Sequence, residues 1–403
     1  MKIALIKERK NPPDRRVVLT PEQAKELMEK YPDLEIVAES SDIRAFSDDE
    51  YEKAGIKVVD DVSDADVLLG VKEVPVDALI PGKKYFFFSH TIKKQPYNRD
   101  LLRAILDKNI ELYDHETITD KNGNRLVAFG YYAGIVGAYN TVRTYGLKSG
   151  LFNLPKAIEL KDKKALIEEL KKVKPLLPPV KIVLTGKGRV GRGAKEMLDA
   201  MGIREVSPGD FLTKTFDEPV YTNIDVDWYN KHKEGKPFDF QEFFKHPERF
   251  EGDFDKFTKV ADIYIAGHFY GQGAPYIFTK EAAAASDNKI KVVGDISCDL
   301  NGPVATTVRA STIADPVYGY DPNTGKETDF KDEKAIAVMA VDNLPNEIAR
   351  DASEGFGENF VKYVIPALVE GDKEGILERA KITENGRLTE RFKYLQDYVD
   401  GKE

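Results

Sequence analysis

Apolar and polar positions alternate along this chain in short blocks, and the blocks predict strands separated by helices from the first residue onward. Met1-Lys2-Ile3-Ala4-Leu5-Ile6 reads as an opening strand. A polar loop from Lys7 to Arg16 leads to the apolar run Val17-Val18-Leu19 and then to Thr20-Pro21-Glu22-Gln23. That tetrad predicts a helix start: Thr20 caps, Pro21 suits the first helical position, and Gln23 can close a capping box. Further strands are predicted at residues 35–38, 56–59, 66–71, 84–89 and 110–113, with helical stretches between several of them, as a parallel sheet requires.

The texture changes near Gly130. From Tyr131 to Leu147, Ala and Gly sit among apolar residues, which predicts one long helix leaving the first domain. A Lys-rich polar stretch and the cluster Pro175-Leu176-Leu177-Pro178-Pro179 then mark a boundary. A second strand-and-helix series follows, with strands expected at 181–185, 203–206, 262–266, 290–295 and 335–341. An aromatic, charged segment near 214–257 is too long for an ordinary connection and reads as an insertion. Residues 346–368 are amphipathic at helical spacing, with Gly371 as a stop, and with no strand left to build they are expected to pack on the first domain.

At the head of the second series the strand Lys181-Ile182-Val183-Leu184-Thr185 runs into Gly186-Lys187-Gly188-Arg189-Val190-Gly191, and an apolar-spaced helix begins just after. Each part has a physical task at a dinucleotide. Gly186 permits the tight turn, Gly188 lets backbone approach a pyrophosphate, and Gly191 lets helix pack on strand. Arg189 and Val190 belong to the same turn, whose helix N-terminus offers free N–H groups. The expected fold class is therefore α/β, with two Rossmann-like domains built on parallel sheets. A dinucleotide-binding domain, 141–344, is inserted into a discontinuous substrate domain, 1–140 plus 345–403. The tip of the second strand of the series reads as Ser207, with Arg189 or Lys214 nearby. That leans toward NADP(H), while Glu205 keeps NAD(H) open.

Composition adds exclusions. Of the 403 residues 41% are hydrophobic and 32% charged, which suits packed cores rather than a disordered chain. A net charge of −9 gives no electrostatic reason to expect nucleic acid or an anionic membrane as partner. A single cysteine, Cys298, cannot form an internal disulfide, and neither a signal peptide nor a membrane-length apolar run is evident. A cytoplasmic protein acting on small molecules is expected, with a homo-oligomer left open. The histidines share no metal-ligand spacing, so no metal is expected.

Two titratable residues stand where apolar strands end: Lys72 after the strand at 66–71, and His90 after Tyr85-Phe86-Phe87-Phe88-Ser89. Carboxyl ends of strands carry the ligand site in open parallel sheets. An ammonium and an imidazole there could trade protons with a carbonyl, carbinolamine or amine. Position alone fits a solvated strand end and a satisfied core histidine as well. Arg16 and Arg125 also flank apolar runs, where a guanidinium fork suits a carboxylate or forms a surface ion pair.

In their order along the chain these residues resemble the alanine dehydrogenase and saccharopine dehydrogenase superfamily. Arg16-Val17-Val18-Leu19-Thr20-Pro21 is similar to its N-terminal signature, and Gly70-Val71-Lys72 to its catalytic-lysine strand. The stretch from Phe87 to Lys93, Val127-Ala128-Phe129-Gly130 and His246-Pro247-Glu248-Arg249-Phe250 resemble the lysine–2-oxoglutarate reductase branch in particular. Further similar stretches are Asp295-Ile296-Ser297 with Asp299, and Asp342-Asn343-Leu344-Pro345. The resemblance implies reductive condensation of L-lysine with 2-oxoglutarate to saccharopine, or the reverse, with a nicotinamide cofactor. By it Lys72 and His90 become an acid–base pair, Arg16 and Arg125 carboxylate binders, and Glu116 a tuner of the basic groups. Asp295, Asp342 and Leu344 fall beside the cofactor. The rivals are another imine-reducing dehydrogenase (alanine- or opine-type) and a regulatory nucleotide-binding protein without turnover.

Overall fold

The computed structural model describes residues 1–402. They form two compact units: Met1–Phe129 together with the chain from Ala349 onward, and Gly130–Ile348. The sequence reading set the divisions after residues 140 and 344. The long helix from Gly130 instead belongs whole to the second unit, as does the turn that follows Leu344.

In the first unit, strands β1 (Lys2–Leu5), β2 (Glu35–Glu39), β3 (Lys57–Val59), β4 (Val67–Leu69), β5 (Lys84–Phe87) and β6 (Glu111–Asp114) make one sheet in the order β3-β2-β1-β4-β5-β6. Every pair is parallel. Helices cover the sheet, which explains why β5 reads as a continuous apolar run rather than an alternating one. Tyr85 and Phe87 enter one core with Leu102, Ile105 and Leu112. Phe86 faces the other side, edge-on to Phe360. Helix α1 (Pro21–Lys30) begins with the expected capping box: the Gln23 amide donates to Thr20 Oγ1, and the Thr20 amide donates to Gln23 Oε1 at 3.0 Å. Helices α2 (Asp48–Lys53) and α3 (Arg99–Asp107) complete the N-terminal part. The strand order reverses between β1 and β4, so their carboxyl ends open the crevice where ligands bind in such sheets.

The second unit starts with α4 (Gly130–Ser149) and α5 (Lys163–Val173) and then builds an eight-stranded sheet. Its members in chain order begin with β7 (Lys181–Thr185), α6 (Arg189–Met201), β8 (Arg204–Glu205), α7 (Pro208–Thr213), β9 (Val220–Ile224) and the short α8 (Val226–Tyr229). A hairpin of β10 (Asn230–His232) and β11 (Phe250–Gly252), spanned by α9 (Phe240–Lys245), stands apart from the sheet. After α10 (Asp255–Thr258) come β12 (Ile263–Ala266), α11 (Lys280–Ala284), β13 (Val292–Asp295), β14 (Val317–Asp321), β15 (Lys326–Thr328) and β16 (Ile336–Met339). The sheet order is β15-β14-β16-β13-β12-β7-β9-β8. The core is parallel; β14 and β15 form an antiparallel edge.

Two features depart from the sequence reading. The insertion expected at 214–257 contains β9, a fully buried strand of the central sheet. Only the part after it leaves the sheet, and its aromatics (Phe243, Phe250, Phe254, Phe257) join one core with residues of β7, β9, β12, β13, β14 and β16. The β14–β15 edge was also unforeseen. In the Gly- and Ala-rich α4, glycine serves close packing: a Cβ on Gly134 would lie 2.0 Å from the Val190 carbonyl oxygen, and one on Gly193 2.1 Å from that of Tyr131. Helices α4 and α6 thus touch backbone to backbone.

In the first unit the returning segment opens with α12 (Ala349–Asn359) and passes through one π turn at Phe360–Val364. Phe356 stacks on Phe129, centroids 4.4 Å apart, and Thr383 closes the backbone of β6 by accepting from the Leu112 amide and donating to the Ile110 carbonyl.

Candidate active site

Four strand ends of the first unit carry a set of ionisable residues. Just past β1, the Glu8 carboxylate accepts the main-chain amides of Val71 at 2.6 Å and Lys72 at 2.9 Å, both beyond the end of β4. Burial and the nearby Asp14 charge push the Glu8 carboxyl up to about 7, against the two amides that favour its ionised form. Gly70 sits where Ile6 and Glu8 approach, which fixes the exit path of the lysine strand.

Lys72 is half-buried, and among the described residues its ammonium makes neither a hydrogen bond nor an ion pair. Burial, then the positive charges of Arg16 and Lys10, lower its pKa below the usual lysine range; Asp14 and Glu73 oppose this. A cation without a bonded partner in such a place is poised to give up its proton.

His90 leaves β5 in the left-handed conformation, φ 56°. Its Nδ1 is 2.7 Å from Glu73 Oε1, and its Nε2 is 3.7 Å from Glu116 Oε1. Burial alone would raise the Glu73 carboxyl, but the bonds from His90 and Lys10 outweigh it and hold it at about 2. Glu116 also pairs with Lys93 at 3.2 Å. The loop is braced from β6: buried Asp114 accepts from the Ser89 amide at 2.9 Å and hydroxyl at 2.5 Å, and from the Glu116 amide at 2.7 Å. His90 and Glu116 are therefore set by one carboxylate. Behind them His115 is fully buried among Phe88, Phe356 and Phe360, and its Nε2–H donates to the Gly70 carbonyl at 2.8 Å.

The two arginines differ. Arg16 is 4% exposed and engages Asp14 through Nε at 3.0 Å and Nη2 at 2.7 Å, with its guanidinium 4.3 Å above the Phe129 ring. That edge is committed to Asp14, so Arg16 acts on Lys72 as a charge. Arg125 is half-buried, 5.9 Å from the Phe88 ring centre.

The glycine turn of the second unit fits a dinucleotide. Gly186 has φ +98°, and a Cβ there would lie 2.3 Å from the Gly267 carbonyl oxygen; one on Gly191 would lie 2.0 Å from that of Gly186. Gly188 is the opposite case: it is exposed, and a Cβ on it would meet nothing within 4 Å. Open space thus lies over the backbone where α6 starts without a side-chain cap. Arg189 is exposed at the first helical position, and Val190 packs toward Gly130 and Gly267.

The remaining sequence-predicted positions separate. Ser207 is exposed and caps α7 beyond β8, which pairs only with β9, so it does not adjoin β7. Asp295 is 1% exposed, and both its oxygens are taken, by Ser297 and Thr307; it orders its own loop. Leu344 is buried in the core beside Gly137, whereas Asp342 is exposed just past β16. Sequence reasoning missed Glu8, Glu73 and Asp114. The signal present was their place, each at or just beyond the carboxyl end of a strand.

These features define a two-unit Rossmann-type protein with an ionisable cluster on one sheet and a glycine turn on the other. Comparison with known proteins agrees: residues 4–136 match the family "Alanine dehydrogenase/PNT, N-terminal domain". The chain carries that domain and is homologous to alpha-aminoadipic semialdehyde synthases and saccharopine dehydrogenases. It is 28% identical over 447 residues to "Alpha-aminoadipic semialdehyde synthase, mitochondrial" of Rattus norvegicus, covering 100% of this chain and 48% of that protein. The chain thus spans about half the length of that relative. To "Saccharopine dehydrogenase [NAD(+), L-lysine-forming]" of Yarrowia lipolytica it is 27% identical, covering 92% of this chain and 93% of the relative. A solved L-alanine dehydrogenase shares the fold, with a TM-score of 0.68 at 17% identity over 99% of this chain and 100% of that one. Among the described residues no helix is long and apolar enough to cross a membrane.

Proposed function

We propose that the chain is a nicotinamide-dependent oxidoreductase acting on CH–NH bonds, which condenses L-lysine with 2-oxoglutarate to saccharopine or runs the reverse reaction. The observation that carries this reading is the half-buried Lys72 amine, lowered in pKa and without a bonded partner among the described residues, next in the chain to Glu73, which holds the His90 ring at 2.7 Å. Lys72 as the free amine takes one proton from the attacking ε-ammonium and becomes an ammonium, so that the substrate nitrogen can bond to the keto carbon. His90 then delivers a proton to the hydroxyl of the carbinolamine, and water leaves to give the imine. Arg125 receives a substrate carboxylate, with Arg16 adding positive potential from behind. Gly186, Gly188 and Gly191 hold the dinucleotide, whose nicotinamide supplies hydride equivalents when bound. The named relatives, one of them lysine-forming by name, support this choice of substrates.

The test follows nicotinamide absorbance with lysine and 2-oxoglutarate together and each alone. Turnover that needs both substrates and is lost in Lys72→Met is expected. Bound dinucleotide with no turnover on this pair would overturn the lysine assignment and direct the assay to other amines and 2-oxoacids.

A further inference from the structure

The strand order of the second unit relocates the position that reads the cofactor's adenosine ribose. In dinucleotide-binding sheets that position is the tip of the strand beside the glycine-turn strand, where an acidic residue accepts the ribose 2′-hydroxyl. Here the chain leaves β7 through α6 to the two-residue edge strand β8, then doubles back through α7, so that β9 lies between them. At a strand spacing of about 4.8 Å, the end of β8 stands roughly 10 Å from β7.

β9 is locked to the turn. The Gly186 amide donates to the Ile224 carbonyl at 2.9 Å, and Asn223 Nδ2 donates to the carbonyls of Gly186 at 2.8 Å and Leu184 at 3.2 Å. The next residue is Asp225, partly exposed at the carboxyl edge of the sheet. Its Oδ1 accepts the Val226 amide at 2.8 Å, while among the described residues Oδ2 accepts no hydrogen bond and makes no ion pair. The acid on β8, Glu205, is spent on Lys195 of α6.

Beyond Asp225, the residues after β9 and after β12 wall an apolar cleft, including Val226, Tyr229, Phe269 and Tyr270. Phe269 is 86% exposed at its rim. The aromatic walls suit a planar base.

We infer that Asp225 is the specificity-determining residue for the dinucleotide, taking the adenosine ribose hydroxyl through Oδ2 and so selecting NAD(H) over NADP(H). This rests on the nicotinamide reading above, and it replaces Ser207 and the lean toward NADP(H). A 2′-phosphate at this place would set its charge against the carboxylate.

Equilibrium binding of NADH and NADPH to the full chain, measured by calorimetry without substrates, tests the assignment. Wild type is expected to bind NADH at least about tenfold more tightly than NADPH. Asp225→Ser keeps a capping oxygen for the Val226 amide but removes the charge; it should weaken NADH and bring the two affinities together. Ser207→Ala should leave the ratio unchanged. Tighter NADPH binding by wild type, or an unchanged ratio in a folded Asp225→Ser variant, overturns the assignment while leaving the nicotinamide reading intact. Failure of wild type to bind either dinucleotide overturns both.

Discussion

The Glu8 carboxylate holds the backbone of Lys72: its two oxygens accept the amides of Val71 and Lys72 at 2.6 and 2.9 Å, joining the exits of β1 and β4 where the strand order reverses. The clamp fixes where the lysine leaves the sheet without touching its amine. Glu8→Ala leaves two amides without an acceptor, and we expect a loss of about 1–3 kcal/mol in stability. Its pH dependence has a definite sign. The folded pKa, about 7, lies above the ordinary glutamate value of 4.5, so the native state binds the proton more tightly. Stability from this group is complete below 4.5 and is lost as the pH rises through 7. Thermal unfolding should therefore show Glu8→Gln gaining on wild type between about pH 5 and about pH 8.

His90 and Glu73 should act as a unit, because their 2.7 Å contact orients the imidazole ring. In a double-mutant cycle on kcat/KM, His90→Gln and Glu73→Gln are expected to couple by about 1 kcal/mol or more. Additive losses would separate Glu73 from the proton transfer.

His115 makes the first unit acid-sensitive. Burial, with the charges of Arg125 and Arg16, lowers its pKa from 6.5 to about 3 despite the Gly70 carbonyl. The unfolded chain takes up the proton first, so stability falls as the pH drops below 6.5. The loss amounts to about 2 kcal/mol by about pH 5. His115→Leu should show a flatter decline over that window in thermal unfolding, even if its stability at neutral pH is lower.

Two glycines should separate packing from binding. Gly134→Ala would drive a Cβ to 2.0 Å from the Val190 carbonyl oxygen and is expected to cost about 1–3 kcal/mol. Gly188→Ala meets nothing within 4 Å, so its melting temperature should match wild type. Its affinity for NADH should fall, because the new methyl occupies the space where a pyrophosphate approaches. A Gly188→Ala variant that binds as wild type would remove that glycine from the site.

Local chemistry made much of this protein legible from its sequence. The Thr20–Gln23 capping box, the strands that lead to Lys72 and His90, and the glycine turn after β7 are settled by residues close in the chain. Their apolar spacing, capping groups and backbone freedom act over one or two turns. What only the tertiary structure decided is pairing. That β9 lies between β7 and β8, on which the proposal of Asp225 over Ser207 rests, depends on which strands share hydrogen bonds across long loops. Val220-Tyr221-Thr222-Asn223-Ile224 looks the same whether it belongs to an insertion or to the sheet centre. The same holds for Glu8, 64 residues from Lys72, and for Arg16, whose fork turns to Asp14. A charged side chain's partners are set by the folded surroundings that desolvate it, and no spacing along the chain encodes them.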